Sequence, residues 1–220
     1  MTMFDVAEIS ELQSKVLIRL IDDDKDFLKS LGLLLKMTGW SISTYHSAVD
    51  FLSTESFITP GCIILDLRMP EMTGLELQRQ LASQNKNNLP IVFLTGHGDV
   101  ESAVYTLKKG AFDFLQKPIN PLVLNKVVEE ASRKSLLDTI ESSQKKEEFA
   151  RYRTLTPREK EIFKLAANGK TNKEISKVLN ITVPTIKMHR GNAFDKLDVH
   201  SSVEALKMYE NLGLSKKDDV

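Results

Sequence analysis

With only one cysteine, Cys62, the chain cannot build an internal disulfide framework, and its sulfur chemistry fits a reducing compartment. No apolar run is long enough to cross a bilayer, which excludes a spanning helix. The N-terminus, MTMFDVAEISELQ, is acidic and lacks the basic n-region of a secretory signal, so a cytoplasmic protein without a membrane partner is expected. Internal repeats and low-complexity segments are also missing, which excludes a repeat architecture.

Net charge is absent too, but only in the sum. The 30 basic and 30 acidic residues of this 220-residue chain cancel globally and not locally. Through Glu130 there are 17 Asp/Glu against 12 Lys/Arg, residues 131–153 carry 6 basic and 4 acidic, and residues 154–212 carry 10 basic and 7 acidic. An acidic front and a basic back suggest two modules with different partners, nucleic acid being the candidate for the second. The length accommodates two small domains.

What is present centres on residues 62–70, CIILDLRMP. A short continuous apolar run reads as a strand buried on both faces of a parallel sheet. Ligands of such sheets bind beyond the strands' carboxyl ends, so Asp66 would be delivered to that rim, and Pro70 cannot continue the strand. Taken alone, Asp66 could equally cap a loop. The rest of the front half supplies companions. Residues 1–14 read as a polar extension, and 16–21 (VLIRLI) as a strand ending in Asp22-Asp23-Asp24. A helix follows through Leu28, Leu31 and Leu35 to Gly39, then a strand at 41–45 and a helix opened by Ser47-Ala48-Val49-Asp50. After the Cys62 strand come a helix through Leu75 to Leu81, a strand IVFLT ending at Thr95-Gly96, and a helix marked by Ala103, Val104 and Leu107. A fifth strand, 112–116, ends at Lys117-Pro118, and a last helix starts near Leu122. Leu107, Leu122 and Val123 are each expected in the core.

Alternating strands and helices imply a doubly wound α/β domain whose right-handed crossovers put every strand C-terminus on one edge. Asp22, Asp23, Asp66, Thr95 and Lys117 should therefore converge. Clustered carboxylates repel unless a cation compensates them, and Mg²⁺, a hard ion that takes few carboxylates plus phosphate oxygens, suits the set. A carboxylate can act as nucleophile and form an acyl phosphate. Asp66, on the middle strand, is placed for that role; Lys117 offers a charge and Thr95 a hydroxyl to a phosphoryl group. A surface acidic cluster balanced by one lysine is the bland alternative.

Residues 15–131 resemble response-regulator receiver domains of the CheY-like fold, through Asp22-Asp23, Asp66 with Arg68-Met69-Pro70, Thr95-Gly96 and Lys117-Pro118. The resemblance implies that a sensor histidine kinase phosphorylates Asp66. It also implies that Asp22, Asp23, Asp66 and the Arg68 carbonyl hold Mg²⁺, that Thr95 and Lys117 sense the phosphoryl group, and that the Lys117-Pro118 bond is cis. Phe114 stands where receivers keep a rotating aromatic switch. The face from about Asp99 to Ala131 would serve dimerisation.

Residues 132–153 are charged and glycine-free, with Leu136, Leu137 and Ile140 as the last apolar face, and read as a helical linker. From 154 to 213 the pattern is purely helical. Thr156-Pro157-Arg158-Glu159 and Thr171-Asn172-Lys173-Glu174 are capping boxes, Thr182 can cap a third helix, and Ser201 a fourth. Ile175, Val178 and Leu179 are expected to point inward. Two short helices joined by a tight turn form a helix-turn-helix whose second helix enters the major groove. The third helix offers Thr185, Lys187, Met188, His189, Arg190 and Asn192 on its non-core face. Arg190 and Asn192 suit guanine and adenine edges, and Lys173, Thr182 and Lys196 suit phosphate oxygens.

This module resembles the LuxR-type output domain of NarL/FixJ regulators. The matching residues are Leu155 to Glu159, Gly169, Asn172-Lys173-Glu174-Ile175, Leu179-Asn180-Ile181 and Thr185 to His189. The run Thr95-Gly96-His97-Gly98-Asp99 favours the FixJ-like branch. The implied protein is a DNA-binding response regulator that dimerises on phosphorylation, binds inverted half-sites of double-stranded DNA and works with RNA polymerase. It would have no enzymatic turnover beyond its own phosphorylation and dephosphorylation. Three rivals differ in what they require. An Asp-based phosphohydrolase wants a second acid where Arg68 stands, a small-molecule-sensing regulator has no use for the acidic rim, and a receiver working without phosphate would leave Asp66 unmodified.

Overall fold

A computed structural model describes residues 3–84, 89–96 and 107–214. The chain divides into two compact units that meet between Ile140 and Glu141. The first contains α1 (Met3–Lys15), β1 (Leu17–Ile21), α2 (Lys25–Met37), β2 (Ile42–Tyr45), α3 (Ala48–Thr54), β3 (Gly61–Asp66), α4 (Gly74–Ser83), β4 (Ile91–Thr95) and β5 (Asp113–Gln116), and α5 (Pro121–Arg153) begins in it. All pairings are parallel, in the order β2-β1-β3-β4-β5. The architecture is the expected doubly wound five-stranded sheet. Ala103, Val104 and the run His97-Gly98-Asp99 lie outside the described residues.

β3 is buried at every position because it sits in the middle of the sheet with a helical layer on each face. One layer packs Leu28 and Leu35 of α2 and Leu124 and Val128 of α5 against Ile18, Leu20 and Ile64. The other packs Ala48 and Phe51 of α3 and Leu77 and Leu81 of α4 against Ile63, Leu65 and Phe93. β3 begins at Gly61, whose φ is +141° and whose Cβ, if present, would lie 2.0 Å from the Leu17 carbonyl oxygen, so only glycine fits there.

Several expectations need correction. Residues 1–14 are not merely a polar extension: α1 is a helix that buries Leu12 in the sheet core, donates from Gln13 Nε2 to the Thr38 carbonyl (2.8 Å), and pairs Glu8 with Arg133 of α5. Leu107, Leu122 and Val123 are exposed rather than core. In α5 the buried stripe follows Leu124, Val127, Val128 and Ala131, and that spacing turns Leu122 and Val123 away from the sheet.

The second unit holds α6 (Pro157–Ala167), α7 (Asn172–Leu179), α8 (Val183–Leu197) and α9 (Ser202–Asn211). Both capping boxes form reciprocally, Thr156 with Glu159 and Thr171 with Glu174. Phe163 anchors the core, its ring meeting Tyr152, Phe194 and Tyr209 at centroid distances of 6.1, 6.4 and 6.0 Å. Val178 does not point inward. It is exposed, because short α7 offers the core only the side bearing Ile175 and Leu179.

One polar network lies inside the first unit. Arg19 of β1 is fully buried and bidentate to Glu55, with Nε to Oε2 at 2.9 Å and Nη2 to Oε1 at 3.1 Å, and it also donates to the Leu17 and Thr59 carbonyls. The Tyr45 hydroxyl donates to Glu55 Oε2 at 2.6 Å. Burial alone would raise the Glu55 pKa, but the bonds from Arg19, Tyr45 and the Phe57 N–H outweigh it and hold the carboxyl at about 2, below the ordinary 4.5. Because the folded-state value is the lower one, this stabilisation is complete above the unfolded-state pKa and disappears as pH falls from near 4.5 toward 2. Acid titration of stability should show that loss in the wild type and not in Glu55→Gln. Arg19→Ala, which strands a buried carboxylate, should cost about 3–5 kcal/mol in urea unfolding.

Candidate functional site

The parallel topology places the ends of β1, β3, β4 and β5 along one rim. Asp22 follows β1, Asp66 ends β3, Thr95 ends β4 and Lys117 follows β5. Lys117 Nζ donates to Asp22 Oδ2 at 2.6 Å and to Asp66 Oδ1 at 2.7 Å, so one ammonium ties together side chains 95 and 51 residues apart in sequence. Its position is fixed by its own N–H, which donates to the Thr95 carbonyl at 2.7 Å, and by the Phe27 ring, whose centroid lies 4.0 Å from Nζ. The Lys117–Pro118 bond is cis.

The remaining carboxylate oxygens are also engaged. Asp22 Oδ1 accepts from the Asp24 N–H at 2.9 Å, and Asp66 Oδ2 accepts from the Arg68 N–H at 2.7 Å. Asp22, Asp66 and Thr95 are buried, whereas Asp23 and Arg68 are exposed. Phe114 is half-buried and packs on the core face shared with Phe93. Burial pushes the Asp22 carboxyl above its ordinary range, although Lys117 pulls the other way. For Lys117 burial opposes the charged form, but the bonds to Asp22 and Asp66 outweigh it and hold the ammonium above the ordinary lysine value.

The donor chemistry fits a hard divalent cation. Asp22 and Asp66 face a common point, and the Asp66 charge raises the energy of the Asp22 carboxylate. Among the described residues no three His, Cys, Asp or Glu side chains are grouped so that they could hold a metal ion, so the structure brings together Asp22 and Asp66 of the expected ligands but not Asp23, and Lys117 engages one oxygen of each.

Gly74, which sequence reading passed over, belongs to this site. Its N–H donates to the Leu67 carbonyl at 3.1 Å, and a Cβ there would stand 2.4 Å from the Asp66 carbonyl oxygen and 3.0 Å from Phe93. The signal available in the sequence was a glycine directly after an N-cap threonine, Thr73, where α4 begins against the end of β3.

In the second unit, α7 ends at Asn180 in the left-handed region (φ 52°, ψ 46°), which asparagine tolerates, and α8 starts two residues later with Thr182 as N-cap. The turn between them is that of a helix-turn-helix. On α8, Lys187, Met188 and Asn192 are exposed, and Thr185 and His189 are half-buried; Lys173 and Thr182 are exposed nearby. Thr182 Oγ1 accepts from the Thr185 N–H at 3.4 Å, so it caps the helix. Two expected DNA contacts are placed differently. Arg190 reaches inward, donating to Asn172 Oδ1 and Ser202 Oγ, each at 2.9 Å, and lying over the Phe194 ring. Lys196 pairs with the buried Glu159 at 2.7 and 2.9 Å. Arg190 is half-buried, whereas Lys196 stays exposed beside Glu159; α6, α7 and α9 bring the acceptors to them.

A phosphoacceptor-like rim on a doubly wound sheet, followed by a helix-turn-helix unit, defines a receiver coupled to a DNA-binding module. Residues 18–129 match the response regulator receiver domain, and residues 153–209 match the bacterial regulatory proteins of the luxR family. The chain is 35% identical over 195 residues to the tetrathionate response regulatory protein TtrR of Salmonella typhimurium, covering 89% of this chain and 92% of that protein. It is 34% identical over 191 residues to the transcriptional regulatory protein FixJ of Rhizobium meliloti, covering 87% and 93%. The structure of the response regulator StyR superposes with a TM-score of 0.81 at 33% identity, covering 89% of this chain and 98% of that one. The chain belongs to the two-component response regulators with a receiver and a LuxR-type output domain, the group that includes FixJ. Its relatives are transcriptional regulators, not conventional enzymes. Among the described residues no helix is long and apolar enough to cross a membrane.

Gly74→Ala is expected to destabilise the receiver by about 1–3 kcal/mol in urea unfolding, since the backbone at Asp66 must shift to admit the methyl group.

Proposed function

We propose that this protein is switched by phosphorylation of Asp66 and that the modified form controls transcription as a DNA-bound dimer. The observation that carries the reading is the shared ammonium: Lys117 holds the Asp66 and Asp22 carboxylates at one point of the sheet rim. Receiver domains take phosphate from a sensor kinase and use Mg²⁺ for it. In the proposed step an Asp66 carboxylate oxygen attacks the phosphorus of phosphohistidine, forming an acyl phosphate as the P–N bond breaks and the imidazole leaves. Asp22, Asp23, Asp66 and the Arg68 carbonyl would hold Mg²⁺, which when bound neutralises charge on the phosphoryl oxygens. Lys117 then bonds a phosphoryl oxygen in place of the Asp66 oxygen it now holds, and Thr95 donates its hydroxyl. That displacement shifts the backbone following Thr95 and the packing around Phe114, a local charge event acting on a two-state surface.

Dimerisation follows on the face that includes the exposed Leu107, Leu122 and Val123, and two output units then meet inverted half-sites. On α8, Lys187, Met188 and Asn192 provide the exposed reading face, with His189 and Thr185 at its margin and Lys173 and Thr182 toward phosphates. RNA polymerase is the downstream partner. Acetyl phosphate with Mg²⁺ should add the mass of one phosphoryl group to the wild type and none to Asp66→Asn; an unchanged wild-type mass would overturn the reading. On a DNA fragment selected by the wild type, Lys187→Ala should weaken binding about ten-fold with stability unchanged. Arg190→Ala and Lys196→Ala should instead lower the unfolding midpoint of the output unit, because they remove internal bonds.

A further inference from the structure

Five basic residues precede Arg68 in the sequence: Lys15, Arg19, Lys25, Lys29 and Lys36. Lys15 pairs with Glu11 and Arg19 with Glu55. The other three all line one groove of about 410 Å³ between α2 and β2. They are exposed, and none of their side chains has an ion-pair or hydrogen-bond partner among the described residues. The clustering runs against the charge of the surrounding unit, which carries 17 acidic and 12 basic residues through Glu130. Three unpaired ammonium groups along one groove give it a positive potential that an anionic occupant would complement.

The groove has an apolar floor and an open wall of backbone. Gly32 contributes no side chain, which leaves room above Ile42, and Leu33 stands at the lip with 61% of its surface exposed. β2 is the last strand of the sheet on this side. The Ser41 and Tyr45 carbonyls accept from the Ile18 and Asp22 N–H groups at 2.9 and 3.3 Å, so the odd-numbered residues face β1. Alternation then turns the N–H and C=O groups of Ile42 and Thr44 toward the open edge. No strand pairs with that edge among the described residues.

We propose that this edge binds an extended acidic peptide of a partner protein, added as a further strand beside β2. Backbone bonds to Ile42 and Thr44 would supply register, and acidic side chains on the α2-facing side of the added strand would meet Lys25, Lys29 and Lys36. Lysines flanking an edge also serve to discourage strand pairing. Here all three stand on the α2 wall of one groove, which repels basic strands and admits acidic ones. None of these residues belongs to the Asp66 rim or to α8, so the site is separate from the switching reading.

The test uses the full chain and a fluorescent hexapeptide of alternating valine and glutamate, capped at both ends. Saturable binding that weakens with salt is expected, and the K25Q/K29Q/K36Q variant, changed only at exposed positions, should bind about ten-fold more weakly or worse. Hydrogen exchange at the Ile42 and Thr44 amides should slow when the peptide is present. A valine–lysine hexapeptide should not bind. Equal affinity for the triple variant overturns the proposal, as does binding of the acidic peptide without protection of those two amides.

Discussion

The receiver rests on one ammonium shared by two carboxylates. Lys117 follows β5 at one edge of the sheet, while Asp22 follows β1 and Asp66 ends β3, so the bond spans three strand ends that only a parallel arrangement brings together. Like charges so near each other are tolerated because the cation lies between them. The arrangement is also easily reorganised. Any anion arriving at Asp66 offers Lys117 new oxygens, and the lysine's backbone is already bonded to Thr95 at the end of the neighbouring strand. A chemical change at one carboxylate is thereby linked to the positions of two other strand ends.

The convergence itself was legible in the sequence, because four strand signals end in charged or hydroxyl residues and handedness puts such ends on one edge. So were the capping boxes, whose residues are four apart at most and act locally. What escaped was long-range pairing of polar groups. Nothing within VLIRLI shows that Arg19 is answered by Glu55, 36 residues further along the chain. Arg190 and Lys196 look like DNA contacts until Asn172, Ser202 and Glu159 arrive from other helices. Spacing within one helix gives which way a side chain leaves the axis, not which neighbour answers it. The same limit explains Leu122 and Val178, whose apolar character suggested burial and whose position on the helix denies it.

The two units treat charge differently. In the receiver the central ion pairs are enclosed, Arg19 with Glu55 under α3 and Lys117 with its two partners at the rim. In the output unit the pairs brace helices against each other and leave Lys187 and Lys173 outward. Its mild positive excess therefore understates the contrast between its faces, since part of its basic complement is already neutralised internally.

The N-terminal helix carries a practical consequence. The shared receiver region begins at Ile18, one residue after β1 starts, and α1 lies wholly before it. Leu12 and Val16 sit in the same cluster as Leu35 and Trp40, and Gln13 satisfies a carbonyl at the end of α2. A fragment trimmed to the family boundary would bare that greasy base and an unanswered carbonyl together. The receiver of this chain is therefore built with α1 as part of its core, and its folding unit starts before the shared family boundary.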